Sequence, residues 1–261
     1  MRQLIIDSHA HLGPWPRFRV VDDNLTAALQ LMDHLGISHA FVTHHAGLVG
    51  MLAEAERLSR EAFRLSEGRI RSYLVFDPNR RVESLEIIRR CCNEPFFAGV
   101  KIHPAFHCTP ADDPRYAPVW ELANERKLVV LVHTWDRSIE NPVQNYSFPG
   151  LLERYIDDSP DATVILGHAG GRYDGFLAAS ELAAAYANVY LDLTGDDFTR
   201  GRIEYFVHQI SSSRVLFGTD MPWIDPRFPL GELLAADISD SDRAAILGEN
   251  AVRIFHLRLV R

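Results

Sequence analysis

"IDSHAHLG", residues 6–13, places Asp7, His9 and His11 on a chain that otherwise begins as a buried strand. On an extended backbone residues i and i+2 share a face, so the two imidazoles point the same way. Two neutral imidazoles side by side suit a divalent cation such as zinc, which takes each nitrogen at ~2.0–2.1 Å. A polar edge strand is the competing reading. The rest of the chain decides between the two.

Outward from this stretch, short apolar runs recur to the end of the chain. They are "QLIID", "HAFVTHH", "RSYLVFD", "FAGVKIH", "LVVLVHT", "TVILGHA", "NVYLDLT" and "RVLFGTD". Each is continuous rather than alternating, as suits strands of a parallel sheet covered on both faces. Amphipathic segments separate them. "DDNLTAALQLMDHLG" carries Asp and Asn caps, an apolar stripe and a terminating Gly36. "GMLAEAERLSREAFRLSEG", "RVESLEIIRRCC", "YAPVWELANERK", "FPGLLERYIDDSP", "GFLAASELAAAYAN" and "GRIEYFVHQISSS" follow the same pattern. Eight strand–helix units predict a single (β/α)8 TIM barrel over residues 1–261, with "DRAAILGENAVRIFHL" as a closing C-terminal helix.

Composition agrees with that class. The chain has 261 residues, 47% of them hydrophobic, enough for one large core. A formal net charge of −8 argues against nucleic-acid or anionic-membrane partners. Three cysteines do not make a disulfide framework, and "MRQLIIDSHAH" reads as neither a signal peptide nor a membrane span. A cytoplasmic protein acting on a small molecule is expected, and a homodimer is compatible with such a barrel.

In a barrel of this kind the reactive groups sit at the carboxyl ends of the strands. Seven of the twelve histidines fall at those ends: His9, His11, His44, His45, His103, His133 and His168. Lys101, Asp192 and Asp220 end other strands. An aspartate ending an apolar run gains nothing from burial unless it is paired or metal-bound. His, His, His and Asp together hold one ion and leave a position open for water. Asp192, in "DLTGDD", reads more simply as a turn or cap residue.

The stretches "IDSHAHLG", "GVKIHP", "VHTWD", "LGHAGG", "FGTDMPW" and "ILGENAVRIF" resemble the amidohydrolase superfamily of metal-dependent barrels. More narrowly they resemble the branch that includes the aminocarboxymuconate semialdehyde decarboxylase group. The resemblance runs from the first strand to the last helix. It implies metal ligation by His9, His11, His133 and Asp220, with Asp220 also a catalytic group beside an attacking water. His168 would be catalytic or would serve a second metal. Lys101 stands where binuclear members carry a carboxylated lysine bridging two ions. One ion is expected here, with Lys101 an ammonium toward an anionic substrate. His103, Arg172, Trp135 and Trp223 are further substrate-facing candidates.

Three functions follow as expectations. The first is hydrolysis of an ester, lactone or amide by metal-activated water, the metal being zinc, with Mn, Fe or Co also suited to these ligands. The second is non-oxidative decarboxylation of a small aromatic or unsaturated acid on the same ligands. The third is a barrel that binds its ligand without catalysis.

Overall fold

The computed structural model describes residues 3–17, 19–197 and 199–258. Its eight strands are β1 (Ile5–Leu12), β2 (Ile37–His44), β3 (Ile70–Val75), β4 (Phe97–Ile102), β5 (Val129–His133), β6 (Thr163–Gly167), β7 (Val189–Asp192) and β8 (Val215–Leu216). They lie side by side in chain order, every neighbouring pair parallel. The seam between β8 and β1 is closed by backbone bonds beyond the end of β8. Ser8 N–H donates to Phe217 O at 2.9 Å, and Asp220 N–H to His9 O at 2.9 Å. The predicted (β/α)8 barrel is therefore the fold, and no helix among the described residues is long and apolar enough to cross a membrane.

The helices are α1 (Leu25–Leu35), α2 (His45–Leu48), α3 (Leu52–Leu65), α4 (Arg81–Cys91), α5 (Ala117–Arg126), α6 (Glu153–Asp157), α7 (Tyr173–Ala185), α8 (Arg202–Ile210), α9 (Arg227–Ala235), α10 (Asp240–Ala244) and α11 (Asn250–Ile254). The predicted caps of α1 are in place. Asn24 Oδ1 accepts the Ala27 N–H at 3.0 Å, satisfying one orphan donor of the first turn. Gly36 ends the helix at φ 74°, a conformation that costs glycine nothing. The predicted helix across residues 148–160 splits into a 3-10 turn over Pro149–Leu152 and the short α6. Pro149 suits the first turn, but Gly150 is a poor helix former, so the segment tightens instead.

Two apolar layers flank the barrel wall. Outward-facing strand residues such as Val42, Val100, Val132 and Leu166 pack against the helices. Inward-facing Ile6, Phe41, Tyr73, Leu131, Ile165, Tyr190 and Leu216 form a second cluster with Ala251, Ile254, Phe255 and Leu257. Phe255 stacks on Phe41 with ring centroids 3.8 Å apart. The closing C-terminal segment thus plugs the amino end of the barrel. It is α10 and α11 joined by a π turn over Ala245–Glu249, rather than one helix. The opposite, carboxyl end is left for polar side chains.

Candidate metal centre

Strand β1 supplies the first of these. One extra residue stands between Asp7 and Ala10 relative to their β2 partners Ala40 and Val42, a bulge beside the site. His9 and His11 still share a face: their Nε2 atoms lie 3.9 and 3.1 Å from the same Asp220 Oδ1. Asp7 turns elsewhere. It accepts from the backbone N–H groups of His9 and Thr219 at 3.1 and 3.0 Å and from the Thr219 hydroxyl. That ties β1 to the segment after β8, and burial pushes the carboxyl up to about 7.

Two site residues hold left-handed backbones, His168 at φ 62° and Asp220 at φ 61°. Non-glycine residues persist there only when their surroundings hold them. The His168 N–H is bound by Asp192 Oδ1 at 2.8 Å, and the Asp220 N–H by the His9 carbonyl. The constraint turns both side chains toward β1. His9, His168 and Asp220 bring one ligand atom each to within 4.8 Å of one another.

Around this group the network assigns the protons. His9 Nδ1 lies 2.9 Å from Asp192 Oδ2, so it carries the proton and Nε2 carries the lone pair. The Thr194 hydroxyl donates to Asp192 Oδ1, and its oxygen lies 2.8 Å from His168 Nδ1. That oxygen has no second proton to give, so His168 Nδ1–H donates to it and Nε2 bears the lone pair. His168 Nε2 faces His133 Nδ1 at 2.9 Å, and His133 Nε2 lies 3.0 Å from Gln144 Oε1. With an amide oxygen there, His133 donates through Nε2, and two ring lone pairs face each other. Two nitrogens each ~2.0–2.1 Å from one ion, at right angles, are about 2.9 Å apart.

The donor set fits a divalent ion on two further grounds. Asp220 Oδ1 is buried and lacks a hydrogen bond of acceptable geometry, despite the 3.1 Å approach of His11. An unpaired buried carboxylate oxygen is costly unless a cation meets it. The surrounding imidazoles are also neutral, as ligands must be. Burial drives His11 and His168 down to about 3, and holds His103 and His133 well below the ordinary histidine value. Burial works to raise Asp220, but the contact from His11 and the pull that the imidazoles exert whenever one is charged hold its carboxyl well below the ordinary aspartate value.

Lys101 is 1% exposed, with Nζ 2.8 Å from His9 Nε2. Burial lowers its ammonium to about 8, so it shares the His9 lone pair as a weakly held cation. His103 stacks on His133 at 3.9 Å. Its Nδ1 accepts the Phe106 N–H at 3.2 Å, which leaves Nε2–H as a fixed donor. Trp135 lies parallel to His133 at 6.1 Å, and Trp223 is parallel to His11 at 4.8 Å. His45 stacks on both His11 and Trp223, with Trp15 tilted against His45 and Trp223. A cavity of about 610 Å³ abuts this aromatic wall, bordered by His11, Val21, Met221, Pro222 and Trp223.

The structure thus gathers nine of the ten sequence candidates. Arg172 stands apart: its guanidinium pairs with Asp196 at 3.2 Å on the surface, in a cleft with Tyr173 and Phe176. The convergent group contains His168, while His11 and His133 adjoin it through Asp220 and His168 respectively. Sequence reasoning missed Asp192, Thr194 and Gln144. The available signal was position: Asp192 ends its apolar run just as His133 and His168 end theirs.

Comparison with known proteins gives four findings. The profile of the Amidohydrolase family matches residues 6–257. The 2-amino-3-carboxymuconate-6-semialdehyde decarboxylase of Dictyostelium discoideum is 22% identical over 67% of this chain, and the match spans 57% of that protein's length. The gamma-resorcylate decarboxylase of Rhodococcus jostii (strain RHA1) is 23% identical over 88% of this chain and 86% of its own. Among solved structures, 5-carboxyvanillate decarboxylase from Novosphingobium aromaticivorans, complexed with manganese and 4-hydroxy-3-methoxy-5-nitrobenzoic acid, superimposes with a TM-score of 0.77. That match has 14% identity and covers 98% of this chain and 97% of the other.

Proposed function

Because the chain belongs to the amidohydrolase family, a class of enzymes, we propose that it is a metal-dependent, non-oxidative decarboxylase of a small aromatic or unsaturated carboxylic acid. One observation carries the reading: a cluster of mutually packed rings, His11, His45, Trp15 and Trp223, stands beside the ligand group, and two of them, His11 and Trp223, border a cavity of about 610 Å³. Such a cluster receives a flat, conjugated substrate by ring stacking. Lys101 and the His103 Nε2–H stand by as donors for its carboxylate. The relatives named above are decarboxylases rather than hydrolases, which moves the hydrolysis expected from the sequence to second place.

His9, His11, His133, His168 and Asp220 are the residues that would hold the ion, and Mn²⁺, the ion in the similar 5-carboxyvanillate decarboxylase structure, is the first metal to test. When bound, a divalent ion supplies Lewis-acid polarisation of a substrate oxygen. The chain's own residues do the rest. Lys101 and His103 orient the carboxylate, and the rings of His11 and Trp223 offer an apolar side to the conjugated system. The carboxylate's charge beside Asp220 raises that residue's proton affinity. With its affinity raised in this way, Asp220 would take up a proton from solvent as the substrate enters and then deliver it to the carbon that bears the carboxylate. The carbon–carboxylate bond breaks, its electron pair restores the conjugated system, and carbon dioxide leaves.

The test is turnover of the purified, Mn²⁺-loaded protein on a panel of hydroxybenzoates and unsaturated acids, alongside ester, lactone and amide panels. Carbon dioxide release that stops with a chelator is the expected result. Metal-dependent cleavage of an ester, lactone or amide without carbon dioxide would replace this reading with hydrolysis.

A further inference from the structure

We propose that Asp192 and Thr194 are positioning residues that fix the tautomers of His9 and His168 together, so that one buried carboxylate sets two lone pairs from different strands toward the same ligand group. Asp192 is fully buried, and each of its oxygens has a separate task. Oδ2 takes the His9 Nδ1 proton across 2.9 Å. Oδ1 accepts from the His168 N–H at 2.8 Å, the Thr194 N–H at 3.1 Å and the Thr194 hydroxyl.

A tether for the end of β7 would need only the two backbone bonds. The other contacts have the rings as their object. The hydroxyl spends its one proton on Asp192 and must therefore accept from His168 Nδ1 at 2.8 Å. It also lies 3.2 Å from His9 Nδ1, so that proton too is surrounded by acceptors. Both imidazoles are thereby held with the proton on Nδ1 and the lone pair on Nε2, facing Lys101 Nζ in His9 and His133 Nδ1 in His168. Partners of this kind behind a ligating histidine typically change metal affinity by about 10- to 100-fold when removed. That consequence rests on the metal-centre reading above; the tautomers do not.

In Asp192→Asn the amide oxygen keeps the backbone donors, while its NH2 group can only donate toward His9 Nδ1. His9 is then driven to the Nε2–H form, with its ligand position covered by a proton. Nitrogen-15 NMR of the metal-free protein with labelled histidine reads this directly, and calorimetry with Mn²⁺ alone reads the affinity. The wild type should show Nδ1–H at both rings. Asp192→Asn should shift His9 to Nε2–H and weaken Mn²⁺ by about 10- to 100-fold. Thr194→Val should release the His168 tautomer, and Thr194→Ser should restore it together with wild-type affinity. A His9 tautomer and Mn²⁺ affinity unchanged in Asp192→Asn would overturn the proposal. So would an Nε2–H form of either ring in the wild type. If Asp192→Asn does not fold, the Thr194 pair decides through His168. A wild type that binds no Mn²⁺ while its tautomers follow this pattern would sink the metal reading and leave the positioning role standing.

Discussion

Asp220 combines an ionised, buried carboxylate with a left-handed backbone at φ 61°. The two properties make separable predictions. Asparagine tolerates the left-handed region, and it replaces a buried charge whose Oδ1 lacks a partner. Asp220→Asn should therefore be at least as stable as the wild type in urea while losing Mn²⁺ affinity and turnover. Asp220→Ala should be less stable than Asp220→Asn by about 1 kcal/mol, the cost of a left-handed conformation without local hydrogen bonding. Equal urea midpoints for the two variants would show that the backbone there is not strained. At this scale the sequence was readable wherever a side chain's type stood out from its strand: His9, His11, His133, His168 and Asp220 all end apolar runs. It was unreadable where a role depends on what lies across the barrel. "DLTGDD" looks like a turn because nothing local says that Asp192 meets a histidine from β1, |i−j| = 183 away.

At the scale of elements, the loop after β6 depends on two glycines. A Cβ at Gly175, in the first turn of α7, would lie 2.0 Å from the Gly170 carbonyl oxygen and 2.7 Å from Asp136 Cα. These are backbone atoms that cannot rotate aside, so α7 docks on this loop only because both residues lack side chains. Gly175→Ala should cost about 1–3 kcal/mol by overpacking. Because the loop begins at His168, it should also weaken Mn²⁺ binding; calorimetry showing full affinity in a destabilised protein would refute the coupling. Helix α1 was legible with its caps because Asn24 and Gly36 act locally. The short α6 was not, and neither was the π turn between α10 and α11, because tertiary packing sets their lengths. Strand β8 was expected to run on to Asp220. Its ladder stops at Leu216 because the residues beyond it turn to bond β1.

For the whole molecule, the two ends of the barrel separate stability from function. Phe255 plugs the amino end against Phe41, far along the strands from the ligand cluster. Phe255→Ala should cost about 3–5 kcal/mol of stability and leave Mn²⁺ affinity unchanged, as read by urea midpoints and calorimetry. Stability of the metal-free protein should also depend on pH. Burial lowers His44 and His45 to about 4, and His11 and His168 to about 3, from an ordinary 6.5. Each folded value is depressed, so the stability each gives is complete above 6.5 and is lost as pH falls through 4 and then 3. Each proton taken up only on unfolding contributes up to about 1.4 kcal/mol per pH unit. Asp7 acts in the opposite sense, its raised value of about 7 favouring the fold as pH falls. Four histidines outweigh one carboxyl, so the urea midpoint should fall between pH 6.5 and 4; a flat profile would contradict the burial of these rings. The seam that closes the barrel joins Asp7 to Thr219, |i−j| = 212 apart. During synthesis the first two histidines therefore emerge long before the aspartate that completes their set. A chain arrested before Thr219 carries the His-x-His pair without its seam or its carboxylate, and has no assembled place to keep a metal. The proposed ligand set is thus complete only once the segment after β8 has emerged and bonded back to β1.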